Sequence, residues 1–252
     1  MILKSARRQH MQADGVQAPE RWYDIEQGTW WRQALGQWLA EEDPIIFGEY
    51  MLTLSGLDVP WPDARIKAHF HIHPGSQSDV QAELTALPIT QDAIDWVALP
   101  FVLEYSNDPH QVLREADRAL RNDGYMLVAM SNPYALHSLA RLWPSWRQRA
   151  PWQSRLFTPA RVLDWLSLLN YQVLHAGYFG YAVPWPSRHG GSPKGQGLLK
   201  RVPFLAAGYA MIVQKREWPV TLVRSPSFQP AQVKNKGVVP AGRIQSNKVH
   251  PK

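Results

Sequence analysis

Cysteine is absent from the 252 residues, which excludes disulfides, thiolate metal sites and a cysteine nucleophile. No apolar run approaches the roughly eighteen residues of a membrane-spanning helix, so membrane insertion is not expected. Met1 to His10 is basic but has no apolar h-region and no small-residue cleavage site. A secretory leader is therefore not expected, and a cytoplasmic protein is. Neither a Gly-x-Ser-x-Gly motif nor a carboxylate-supported histidine cluster occurs, which argues against serine and metal hydrolases.

What is present suits one α/β domain with appendages. Hydrophobic residues make up 45% of the chain and twelve residues are Trp, enough for a sizeable core. The net charge of +6 is unevenly spread. Through Arg216 there are 21 Lys plus Arg against 20 Asp plus Glu, and from Glu217 onward six against one. Residues 217–252 thus form a basic tail without apolar periodicity, expected to be disordered. It reads as a solubilising end or as one loosely attracted to anionic partners. Residues 1–26 read as a polar leader anchored by Trp22 and Tyr23, which leaves 27–216 as the domain. Trp30, Trp31, Ala34, Leu35, Trp38 and Leu39 share one face of a helix from Thr29 to Glu42, either plain core or a lid, with Asp43 and Pro44 as its stop.

The most informative stretch is Ala93–Pro133. IDWVALPFVLEY reads as a buried strand. Asp108 as N-cap, Pro109 at N1 and Gln111 at N3 start a helix. Val112, Leu113, Ala116, Ala119 and Leu120 give it one apolar stripe, and Asn122, Asp123 and Gly124 are expected to stop it. YMLVAM follows as a second buried strand, so the unit is a crossover in a parallel sheet. Thr158 and Pro159 begin a later helix, and YQVLHAGYFG and AAGYAMIVQKR read as two final strands.

The order strand with Asp, LEY, Asn-Asp-Pro, LREADRALRNDG and a strand ending at Asn-Pro resembles the type 11 group of class I S-adenosylmethionine-dependent methyltransferases. The likeness runs from about Gly28 to Arg216, with its specific motifs after Glu83. It implies a Rossmann-like, mostly parallel sheet with helices on both faces and an antiparallel strand at the carboxyl end. It also implies S-adenosylmethionine at the carboxyl ends of the strands. Ser55 and Gly56 fall in the cofactor loop after a first strand, Glu49–Leu57. Glu83, four residues before Leu87-Pro88, falls where the family has an acid contacting the adenine amino group, from which a carboxylate can accept; otherwise it is an ordinary surface Glu. Leu99 and Pro100 fall at the carboxyl end of the next strand. Glu104 matches the Leu-Glu-His position under the substrate pocket, and Asn132 lies at the same sheet edge, within reach of a substrate. Arg141 and Trp143 open a stretch without acids, from Gly124 to Leu163, in which five arginines interleave with three tryptophans. It lies in the family's lid region and reads as an anion clamp with stacking walls or as an amphipathic surface.

The chain departs from that family upstream. The family loop is Gly-x-Gly-x-Gly, whose glycines admit the cofactor without a Cβ in the way, whereas Ser55-Gly56-Leu57-Asp58 has one glycine. The second strand, Arg65–His73, lacks the acid that would accept from both ribose hydroxyls, and Asp58, Asp79 or a histidine must substitute if the cofactor binds. Two lost bonds of about 1.5–3 kcal/mol each are enough to turn micromolar binding into millimolar. His69, His71 and His73 alternate on that strand, but same-face neighbours about 7 Å apart converge poorly on a metal, and a polar cleft wall is the expected reading. SNPY, 131–134, has one proline and follows the later strand, so it does not speak for DNA methylation. Two functions remain: a methyltransferase acting on a small-molecule acceptor, with no required catalytic triad because positioning and desolvation carry in-line methyl transfer, or a non-catalytic binding or scaffold protein on the same fold.

Overall fold

The computed structural model describes residues 18–76, 78–135, 154–181 and 206–216. The chain divides into two compact units, residues 1–217 and 218–252, and the described residues all belong to the first. Arg141, Trp143 and the rest of the Arg-Trp stretch up to Gln153, the basic tail and residues 1–17 of the leader lie outside them.

A six-stranded sheet forms in the order β2-β1-β3-β4-β6-β5. Its strands are β1 (Phe47–Thr53), β2 (Arg65–His71), β3 (Ile94–Pro100), β4 (Leu120–Ser131), β5 (Tyr171–Tyr181) and β6 (Ala206–Lys215). The pairs β1–β2, β1–β3 and β3–β4 are parallel, and β6 runs antiparallel to both β4 and β5. The helices are α1 (Gly28–Glu42), α2 (Pro109–Ala119) and α3 (Pro159–Leu168), preceded by a 3-10 turn, Trp22–Asp24.

Two apolar layers sandwich the sheet because successive strand residues point to opposite faces. Leu52, Val97, Leu99, Val128 and Met211 meet Val112 and Leu113 of α2 and Val162 and Leu166 of α3. Met51, Trp96, Ala98, Leu127 and Ile212 meet Trp31, Leu35, Trp38 and Leu39 of α1, together with Trp22 and Ile25. The expected crossover from β3 through α2 to β4 is present, and Asp108 caps α2 by accepting from Gln111 N at 3.0 Å. Thr158 caps α3 in the same way.

Several expected boundaries are corrected. β1 begins two residues earlier and stops at Thr53, because Ser55 Oγ accepts from Leu57 N and turns the chain. β2 ends at His71, since the His73 ring accepts from Gly75 N and closes a turn. α2 ends at Ala119 rather than at the Asn122–Gly124 stop. There Leu120 pairs with Ile94 and joins the strand, and Asp123, not Gly124, takes the left-handed conformation. Of the two leader aromatics one belongs to the core: Trp22 is 6% exposed and hydrogen-bonds through its indole N–H to the Asp58 carbonyl at 2.9 Å, whereas Tyr23 is 88% exposed.

At the amino end of the sheet, buried Asp95 of β3 accepts through Oδ2 from Glu49 N at 2.7 Å and Tyr50 N at 2.9 Å, and pairs with Arg121. The β1–β3 ladder itself runs only from Met51 to Thr53. A side chain thus supplies the acceptors that the neighbouring strand does not.

Candidate active site

Parallel strands place Thr53, His71, Pro100 and Ser131 along one edge, where ligands bind in open α/β sheets. Leu54 N reaches Ala98 O at 2.9 Å, which seats the loop 55–58 beside Leu99 and Pro100, both buried. Phe101 then turns with φ 56°, a conformation that costs a bulky residue on the order of 1–3 kcal/mol. Its N–H donates to Ala129 O at 2.7 Å, and its ring meets the edges of Trp31 at 5.3 Å and Trp22 at 5.9 Å. The surrounding packing therefore holds the strained turn.

The loop is tied down on its outer side. Arg32 of α1 donates from Nε and Nη2 to Asp58 Oδ2 at 2.9 and 2.7 Å. At the end of β2, His71 N donates to Asp79 Oδ2 at 2.8 Å. Both acids that could replace the missing ribose acceptor are thus engaged by the chain itself. The three histidines do not converge: His69 Nε2 lies 2.8 Å from Thr53 Oγ1, the His71 ring stacks at an angle 4.6 Å from that of His69, and His73 belongs to the following turn.

Burial pushes the His73 imidazole below its ordinary value, partly opposed by the nearby Glu20 carboxylate; desolvation and the neighbouring His71 lower His69 likewise. The unfolded chain takes up these protons near pH 6.5 and the folded chain only below that. Stability is therefore complete above about pH 6.5 and declines as pH falls toward the depressed folded values. Thermal melts at about pH 7.5 and about pH 5.5 are expected to give the lower Tm at the acid value, with a smaller difference in His73→Asn.

Of the remaining candidates, Glu104 is 1% exposed and accepts from both N–H and Oγ of Ser131, which joins the turn after β3 to the end of β4. Asn132 is fully buried: its Nδ2 donates to Ala206 O at 2.9 Å and its Oδ1 accepts from Tyr134 N at 3.1 Å. Its amide braces the chain's own backbone. Glu83 is exposed on the loop after β2. That loop is pinned to α2, where Glu115 accepts from Leu87 N and Arg118 donates to the carbonyls of Leu87 and Ile89.

Glu20 escaped the sequence reading. It is half-buried, and a Cβ on Gly56 would run into its carbonyl oxygen and come within 2.8 Å of its Cα. A Cβ on Gly75 would meet its carboxylate, with Cδ at 2.5 Å. The Cβ space of the single loop glycine is thus filled by the chain's own backbone, and an adenosyl group that used that space does not fit in this arrangement. No local pattern marks Glu20, because the contact joins residues far apart in sequence.

A family model described as a methyltransferase domain matches residues 53–128. The uncharacterized protein YafS of Escherichia coli (strain K12) is 34% identical over 210 residues, 82% of this chain and 85% of YafS. Among solved structures, a SAM-dependent methyltransferase from Thermotoga maritima is similar with TM-score 0.50 at 12% identity, over 73% of this chain and 89% of that one. One from Listeria monocytogenes, described as a putative S-adenosylmethionine-dependent methyltransferase, gives TM-score 0.50 at 13% identity, over 73% and 99%. No helix among the described residues is long and apolar enough to cross a membrane. The chain therefore belongs to one family with YafS, its residues 53–128 match the methyltransferase domain model, and its fold is that of the S-adenosylmethionine-dependent methyltransferases.

Proposed function

We propose that the protein transfers a methyl group from S-adenosylmethionine to a small-molecule acceptor. The observation that carries this reading lies inside the matched segment: β1 pairs with β3 and Leu54 N bonds Ala98 O at 2.9 Å, so the loop Ser55-Gly56 follows beside Leu99 and Pro100 at the carboxyl edge of a parallel sheet. In this reading Glu83 is the adenine contact and Glu104 supports the floor of the acceptor pocket through Ser131. Arg141 and Trp143 belong to its lid.

The second reading, a non-catalytic binding or scaffold protein, is favoured by two observations: the Cβ space of the loop glycine is filled by Glu20, and a histidine stands at the end of β2. Calorimetric titration with S-adenosylhomocysteine separates the two. The enzyme reading expects saturable binding that weakens about tenfold in Glu83→Ala, the loss of one charged hydrogen bond. Absence of both heat and a melting shift at millimolar ligand would leave only the scaffold.

A further inference from the structure

The two glycines at the carboxyl ends of β1 and β2 belong to different loops, yet one residue fills the Cβ space of both. Glu20 sets its backbone carbonyl against Gly56 and its carboxylate against Gly75, beside the buried His73 ring. The contact is held in place from two sides. Asp24 Oδ2 accepts from Glu20 N at 3.0 Å and Arg21 N at 2.8 Å, which folds the segment back on itself. Trp22, which follows Arg21, is itself buried in the core and donates to the carbonyl of Asp58, in the same loop as Gly56. Glycine is required at 56 for this packing, since any side chain there would strike backbone, whereas at 75 it would meet the Glu20 carboxylate and the His73 ring.

We propose that Glu20 is a built-in competitor for the adenosyl site, so that S-adenosylmethionine binds only when residues 18–21 lift from Gly56 and Gly75. The inference rests on the methyltransferase reading above. Lifting is local. Trp22 stays in the core as the hinge, and what must yield is the exposed pair of bonds on Asp24, the contacts on the two glycines and the packing of buried Pro19 and half-buried Ala18. Ligand affinity is then divided by the cost of opening, because only the lifted fraction is competent.

The test uses the full chain and S-adenosylhomocysteine. Calorimetry on wild type, Glu20→Ala and Asp24→Ala is paired with amide hydrogen exchange of the 18–26 segment with and without ligand. Glu20 is half-buried and Asp24 exposed, so both variants are expected to fold with wild-type circular dichroism. Glu20→Ala is expected to bind about fivefold tighter than wild type or more, Asp24→Ala is expected to shift the same way, and exchange at 18–22 rises at saturation. Unchanged or weaker binding by Glu20→Ala overturns the proposal, the weaker case making Glu20 a ligand-holding group. Slower exchange at 18–22 on saturation also overturns it, since the segment then closes over the ligand. If none of the three proteins binds at millimolar ligand, the methyltransferase reading falls and takes the competitor with it. Equal binding by all three removes the competitor alone.

Discussion

Asp95→Ala is expected to destabilise the domain by about 3 kcal/mol, the loss of two part-buried hydrogen bonds to a charged acceptor. For a domain of this size that lowers Tm by about 6–12 °C. The carboxyl group is 3% exposed and is the acceptor for Glu49 N and Tyr50 N, so a methyl group in its place leaves two strand donors unpaired. Arg121, 45% exposed at its side chain, can turn to water, and Arg121→Ala is therefore expected to cost about 1 kcal/mol or less. Asp95→Asn retains one acceptor oxygen and falls between. Gly48→Ala tests the same contact from the other side. Its φ is 149°, and a Cβ there would lie 2.7 Å from Asp95 Cβ, so it should destabilise comparably. Urea unfolding followed by circular dichroism reads both variants; a cost below about 1 kcal/mol for Asp95→Ala would show that the β1–β3 ladder holds without the side chain.

Trp31→Ala should cost about 3–5 kcal/mol, the range for removing a large buried aromatic. The indole is buried against the edges of Trp30, Phe101 and Phe179, and it is one of two tryptophans holding Phe101 in its left-handed turn. Its loss therefore opens a cavity and removes support from a strained backbone that lines the carboxyl edge. Tyr23→Ala, on an exposed ring of the adjacent segment, is the control and is expected to change stability by less than about 0.5 kcal/mol. Chemical denaturation of the pair checks the contrast, which a uniform effect of any aromatic deletion in this region would abolish.

The crossover was legible because every one of its signals is local. Asp108 accepts from an amide three residues on, the stripe of α2 repeats at helical spacing, and β3 and β4 are continuous apolar runs. Element ends were less so. Leu120 keeps the helical stripe in sequence, but pairing with Ile94 draws it into β4, and no residue of the Arg121–Gly124 run announces that. The site was legible only as departures. One glycine in the loop and histidines where an acid was expected could be read directly, whereas Glu20 over Gly56, Asp95 beneath β1 and the engagement of Asp79 by His71 each join segments whose meeting depends on the whole sheet. Asn132 shows the same limit from the other side. Its place at the carboxyl edge fits a substrate contact, and its amide also braces Ala206 and Tyr134, a bonding that only the assembled sheet reveals.

Among the described residues β2 pairs as a strand with β1 alone, and on its outer side it has a row of backbone groups that no described strand takes up. Asp79 and Val80 close the last of that row: a carboxylate takes the His71 amide, and Val80 forms a bridge with Ile72. Upstream, Arg65 and Lys67 are charged and largely exposed. The sheet is thus finished at this border by side chains instead of by another strand, and the carboxylate of Asp79 serves as a stopper against recruitment of a second polypeptide.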